Sequence, residues 1–186
     1  MFDQIELGGE FFEGLLAVDV AIVERATAQS CRYCGGRLHR GDYPRKPRGG
    51  LIGKAAESFR RRFSLCCGRE GCRRRATPPS VRFLGRRVYL GAVVIVASMV
   101  AVMKRAASAA RRSTGIAART MRRWLRWWRG PFTCTSVFVA VSSRMVPAVS
   151  RRALPWSIVE RLVGPLEERV GQLLGWLQPI TTGSGP

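Results

Sequence analysis

Apolar and polar residues follow one another along this chain with a period that changes from segment to segment. Residues 10–28, EFFEGLLAVDVAIVERATA, bring Phe11, Leu15, Val18, Ala21/Ile22 and Val23 close to helical spacing, which predicts an amphipathic helix packed on its neighbours. Residues 44–53, PRKPRGGLIG, hold two prolines and three glycines and predict a loop. In FRRRFSLCC (59–67), Phe59, Arg61, Phe63, Leu65 and Cys67 share one face of a period-two pattern, which predicts a short strand. ATPPS (76–80) ends that unit, because consecutive prolines cannot continue a ladder.

Residues 88–103, VYLGAVVIVASMVAVM, are sixteen residues without a charge. As a helix they reach about 24 Å, short of a hydrocarbon core of roughly 30 Å. Arg86 and Arg87 precede them and Lys104 and Arg105 follow, so the flanking charges give no preferred orientation. A helix buried inside a helical unit is the better account; a small membrane-associated protein spanning at 88–103 is the alternative. Residues 106–129 predict two helices broken at Thr114-Gly115. Further on, LPWSIVERLVGPLEERVGQLLGWLQP predicts two short helices, the second opening at Pro165, where a missing N–H costs nothing. Leu166, Val170, Leu173, Leu174 and Leu177 lie along one face of it. No internal repeat is visible.

Charge divides the chain further. Thirty-two Lys and Arg stand against twelve Asp and Glu, a net +20. Residues 1–30 carry six acids and Arg25 alone, a net of −5; residues 31–131 carry 26 bases and three acids, a net of +23; residues 132–186 carry five bases and three acids. Part of the arginine excess fits a GC-rich coding sequence, but that would not confine the charge to the middle. A positive field of this size attracts polyanions, nucleic acid first and an anionic membrane surface second. The N-terminus is acidic, with no basic, apolar and small-residue leader pattern, so a cytosolic chain with reduced thiols is expected.

The six cysteines then read as ligands or core residues. Cys31-x2-Cys34-Gly35-Gly36 forms one knuckle and Cys67-x4-Cys72 a second, with Gly68 and Gly71 to turn it. Two such knuckles on hairpins make a zinc ribbon, in which Cys31, Cys34, Cys67 and Cys72 hold one structural Zn²⁺ tetrahedrally at about 2.3 Å. In a small basic unit the metal substitutes for a hydrophobic core. Cys66 competes for the third position; Cys67 is favoured because it shares a strand face with Phe63 and Leu65. His39, the lone histidine, is expected on the hairpin surface, and Cys134 as a small core residue. A redox CxxC belongs at a helix N-terminus in a βαβ unit, which this pattern lacks.

STGIAARTMRRWLRWW carries a helix-turn-helix signature. Gly115 supplies a positive φ in the turn and Ile116 caps the buried side. Met121, Trp124, Leu125 and Trp128 follow at i, i+3, i+4 and i+7, while Arg119, Arg122, Arg123, Arg126 and Arg129 take the other face. The N-terminal residues of such a helix, Ala118, Arg119 and Thr120, would meet base edges in the major groove, with Arg122, Arg123 and then Arg126 behind them. The tryptophans fit a core role rather than base stacking.

These pieces together resemble a known family. A zinc ribbon, a Thr-Pro element (RRRATPPSVRFLGRRVYL), an apolar helix and a helix-turn-helix ending RTMRRWLRWWR are similar to the N-terminal DNA-binding part of bacterial insertion-sequence transposases, over about residues 31–130. The most specific piece is G-I-x-x-R-T-x-x-R-W, Gly115 to Trp124. One position departs: Arg111 stands where the family usually has alanine four residues before the turn glycine, with Ala110 one step earlier, which implies a shifted first helix or a longer turn. The resemblance implies that ribbon and helix-turn-helix recognise terminal repeats of the element.

Transposases of this type cut DNA with three carboxylates around two Mg²⁺. Here Asp3, Asp19 and Asp42 all precede the second knuckle, and only Glu160, Glu167 and Glu168 follow residue 131. One histidine allows no Ser/His/Asp set in this setting, and no Gly-rich phosphate loop is present, so no catalytic role is expected. The expected protein is α+β and mostly helical: an acidic amphipathic helix (1–30), a zinc ribbon (31–80), a helix-turn-helix DNA-binding unit (81–131) and a short helical tail (132–186). Its expected partner is double-stranded DNA on the nucleoid, with RNA open on the same scaffold. Self-association or a separate transposase subunit would use the acidic head and the tail. A non-functional mobile-element remnant is a further alternative.

Overall fold

The computed structural model describes residues 7–45, 57–84, 89–104, 111 and 114–182. The chain is α+β and mostly helical. Most of the expected loop at 44–53 and most of the first helix expected before Thr114 lie outside the described residues.

Helix α1 spans Gly9–Thr27, close to the expected bounds. Its buried face is Phe12, Leu15, Asp19, Ile22 and Val23, whereas Phe11 is half-buried and Val18 is exposed. The stripe is therefore rotated from the expected one, and follows the true three-and-four spacing through an aspartate.

Five short strands follow: β1 (Leu38–Arg40), β2 (Tyr43–Pro44), β3 (Arg61–Arg62), β4 (Leu65–Cys67) and β5 (Arg75–Ala76), with a 3₁₀ turn at Glu57–Arg60. β4 lies between β1 and β5 in an antiparallel sheet, with Leu38 opposite Cys67 and Leu65 opposite Ala76. β2 and β3 pair separately, Tyr43 opposite Arg62. The single strand expected over 59–67 is thus broken into a turn and two strands in different sheets. The break falls at Ser64, whose N–H donates to Asp42 Oδ1 at 3.1 Å and whose carbonyl accepts the Gly41 N–H at 2.8 Å. Phe59, Phe63, Leu65 and Cys67 stay buried through the break, but Arg61 is exposed and Arg62 buried, with Arg62 Nη2 donating to the Pro78 carbonyl at 2.6 Å.

Helix α2 (Gly91–Met103) is buried from Gly91 to Ala101. Thirteen residues reach about 20 Å, and among the described residues no helix is long and apolar enough to cross a membrane. Around α2 pack α3 (Ala118–Arg129), α5 (Trp156–Val159) and α6 (Leu166–Leu177); α4 (Ser136–Ser142) lies between α3 and α5 in the chain. A Cβ on Gly91 would meet Leu174 Cδ2 at 2.6 Å, so the bare Cα gives the Leu174 side chain of α6 its close seat there. Trp128 Nε1 donates to Ser98 Oγ at 3.2 Å, pinning α3 to α2 with its indole satisfied. Thr135 caps α4 through its side-chain oxygen, which accepts the Phe138 N–H. Cys134 is exposed, not in the core as expected: the 3₁₀ turn Pro131–Cys134 turns Phe132 inward and the thiol outward.

Two apolar clusters result. The larger runs from α1 through α2 and α3 to α6, so the segment after residue 131 belongs to the same core as the helix before it. The smaller gathers Val23, Cys31, Leu38, Phe63, Leu65 and Cys67. Between them sits a buried ion pair. Asp19 Oδ2 accepts Arg82 Nε–H at 2.7 Å and the Ser80 hydroxyl at 2.6 Å, and Oδ1 accepts the Val81 N–H at 2.7 Å. Arg82 also donates to the carbonyls of Phe59 and Arg61, each at 3.0 Å, among the rings of Phe59, Phe63 and Phe83. Burial lowers the pKa of Arg82, against the pull of Asp19. The pair persists because its donors and acceptors are satisfied.

Candidate metal centre and nucleic-acid interface

The first knuckle closes on itself. The Cys31 N–H donates to the Gly36 carbonyl at 2.8 Å, and the Gly35 N–H, at φ +68°, returns to the Cys31 carbonyl at 2.7 Å. In the second, the Cys72 N–H donates to the Arg69 carbonyl at 3.1 Å, with Gly71 at φ +81° and Arg73 at φ +45°. Gly71 supplies the turn; Gly68 does not adopt a left-handed φ, and its bare Cα makes room for the His39 ring, which a Cβ would meet at 2.6 Å. Gly36 is needed for clearance too, since a Cβ there would lie 3.0 Å from Cys67 Sγ.

These turns bring Cys31, Cys34, Cys67 and Cys72 together, all four sulfurs within 4.8 Å of one another. Cys34 and Cys67 sulfurs are 3.5 Å apart, and those of Cys31 and Cys72 3.9 Å. A tetrahedron with metal–sulfur bonds near 2.3 Å has edges of about 3.8 Å, so the set can hold one metal ion. Cys66 points away, its Sγ 3.5 Å from the Arg73 carbonyl, and His39 is exposed opposite it. The favoured member of the Cys66/Cys67 pair is the one in the cluster.

The cluster moves the acidity of Cys34, Cys67 and Cys72 in different directions. Hydrogen bonding from the Gly36 N–H, then from the thiols of Cys72 and Cys67, lowers Cys34 to about 7. The Arg69 N–H pulls Cys67 down, but burial and the other three thiols outweigh it and push it up to about 12. Cys72 is raised as well: the Arg74 N–H lowers it, and Cys34, burial and Cys31 prevail. A metal binds thiolates, so loading such a set releases protons.

On α3, Met121, Trp124, Leu125 and Trp128 are buried and Arg119, Arg122, Arg123, Arg126 and Arg129 are exposed, as the spacing predicts. Among the described residues no carboxylate pairs with any of the five. Ala118 and Thr120 are half-buried in the first turn. Gly115 has φ +66° and its N–H donates to the Arg111 carbonyl at 2.9 Å, while Ile116 is buried. Arg126 and Arg129 sit in the last turn, where the helix dipole favours cations.

Sequence reasoning passed over two groups. Asp19 lies on the apolar face of α1, at helical spacing from Phe12, Leu15 and Ile22, and that placement was the available signal for a buried partner. Arg32, Tyr33 and Arg74 come together at the knuckles, which no local pattern announces because Arg74 lies some forty residues from the other two. No protein-family model, curated protein or solved structure matches the chain.

Proposed function

We propose that this protein binds double-stranded DNA through α3, as the DNA-binding part of a transposase-like or transposon-associated protein, with a single structural Zn²⁺ on Cys31, Cys34, Cys67 and Cys72. The observation that carries the reading is the two-sided character of α3: a fully packed Met/Trp/Leu stripe opposite five exposed arginines that have no carboxylate partner among the described residues. A solvated surface helix ordinarily mixes both signs of charge. A face of one sign, in a segment carrying +23, is stabilised by a polyanion instead.

In the major groove, Arg119, Arg122 and Arg123 reach base edges, where a guanidinium reads guanine O6 and N7 in a bidentate pair. Ala118 and Thr120 make the short contacts at the helix start, and Arg126 and Arg129 neutralise phosphates. Zinc, when bound, crosslinks the two knuckles through its four thiolates and holds the short strands in register. The protein acts as a binder rather than a catalyst, at the nucleoid, alone or with a second copy or a separate catalytic subunit.

The test is titration of labelled DNA duplex across salt concentrations, after selection of a preferred site from a random library. Log affinity should fall with log salt by about 0.9 per phosphate neutralised. Arg122→Ala should cost about 1–3 kcal/mol on the selected site and relax its sequence preference. A flat salt response would sink the reading.

A further inference from the structure

A second cationic site lies at the metal-binding end of the ribbon. Arg32 and Tyr33 are the two residues between the cysteines of the first knuckle, and Arg74 follows Cys72 by two. Their side chains converge: the guanidinium carbons of Arg32 and Arg74 lie 4.7 and 4.3 Å from the Tyr33 ring centroid, and Arg32 Nη2 donates to the Tyr33 hydroxyl at 2.5 Å. Tyr33 is half exposed, and both arginines are exposed.

Two like charges on one ring repel, and the ring quadrupole offsets only part of that. Among the described residues neither guanidinium pairs with a carboxylate. Arg73 and Arg75 are exposed on either side of Arg74 in the chain, adding to the field, while Arg69 Nη1 is held by the Cys34 carbonyl at 3.0 Å. Such an arrangement is completed by an oxyanion with several acceptor oxygens, which planar guanidinium forks bind with charge-assisted bonds. Because Tyr33 already restrains both forks, less rotamer freedom is lost on binding.

We propose that Arg32 and Arg74, held on Tyr33, clamp a backbone phosphate of DNA, so that the knuckles form a contact separate from α3. The inference rests on the reading of this protein as a DNA binder and adds a site to it. Tyr33 acts as a positioning residue; the arginines touch the ligand.

The experiment titrates a labelled DNA duplex of random sequence, over a range of salt, with zinc-loaded wild type, Arg32→Ala/Arg74→Ala and Arg122→Ala/Arg123→Ala. Metal content and thermal midpoint verify each variant, and Arg32→Gln/Arg74→Gln replaces the first pair if alanine disturbs the knuckle. Loss of one clamped phosphate should lower the salt slope by about 0.9 and the affinity by about tenfold. Tyr33→Ala should reproduce part of that loss and Tyr33→Phe most of the wild-type binding. Wild-type slope and affinity in the ribbon variant, with binding lost in the α3 variant, overturn the clamp and leave the α3 reading standing. The reverse pattern supports the clamp and removes the α3 reading. No binding by wild type overturns both, and a ribbon effect seen on an RNA duplex but not on DNA overturns the proposal in favour of RNA.

Discussion

The ribbon and the helical body bury their residues by different means. The body fills its core with large side chains: Trp128 and Phe132 pack edge to face, Trp124 does the same with Tyr89, and α2 is enclosed along eleven consecutive residues. The ribbon has strands of two or three residues, too short to bury much apolar area, and half of its small cluster consists of Cys31, Cys67 and Val23, the last borrowed from α1. Charge is handled differently too. The body gathers five arginines on one face of α3 and lays one more, Arg151, over the ring of Phe138, whereas the ribbon lays Arg40 over Phe63 and Arg32 and Arg74 over Tyr33. A basic chain can thus tolerate its own repulsion by separation where helices are long enough, and by ring contact where strands are short.

Removing the proposed zinc should break the comparison most sharply. Structural zinc contributes about 10–16 kcal/mol of apparent folding free energy in small zinc domains. Chelation, or Cys67→Ser, should therefore release the β1, β4 and β5 amides to hydrogen exchange while α2 and α3 stay protected. If α2 loses protection as well, the two regions fold as one and the contrast fails. Cys66→Ser should keep the metal.

Asp19→Ala should come next, at about 3–5 kcal/mol, because it strands a buried guanidinium. Urea titration followed by tryptophan fluorescence measures it. Since Asp19 lies where the two clusters meet, this loss should fall on both regions, unlike the loss from chelation.

Asp42→Asn should be the mildest, costing about 1 kcal/mol near neutral pH. Burial raises the Asp42 carboxyl, but the Arg40 guanidinium and the Ser64 N–H outweigh it and hold it below its ordinary value. A carboxyl lowered in the folded state stabilises above its unfolded pKa of about 3.9, and that contribution disappears as pH falls through the lower folded value. Urea midpoints measured from neutral to acid pH should converge for the two proteins at the acid end.

Most helices were legible because their periods are local. The stripe on α3 and the uncharged run of α2 are each visible within one window, and the paired cysteine spacings identified the four clustered sulfurs. What was not legible depends on distant partners. The strand over 59–67 breaks because Asp42, 22 residues before Ser64, takes the Ser64 N–H. The rotation of α1 is set by Asp19, whose partner Arg82 is 63 residues away. Cys134 faces out because Phe132 wins the inward position of a short turn, a choice made by the rings of Trp127, Trp128 and Phe138 around it.

The Asp19 site also orders events in time. Its Ser80 hydroxyl partner lies 61 residues on, and the Ser80 N–H is itself met by Thr181 Oγ1, another 101 residues on, at 3.0 Å. A ribosome delivers α1 long before Thr181, so Ser80 at the Asp19 site waits for a partner made much later. Contacts so far apart in the chain make for slow closure, and the knuckles, whose ligands all fall between residues 31 and 72, can load metal long before it. During synthesis the ribbon should be finished while the helical body still waits for Thr181.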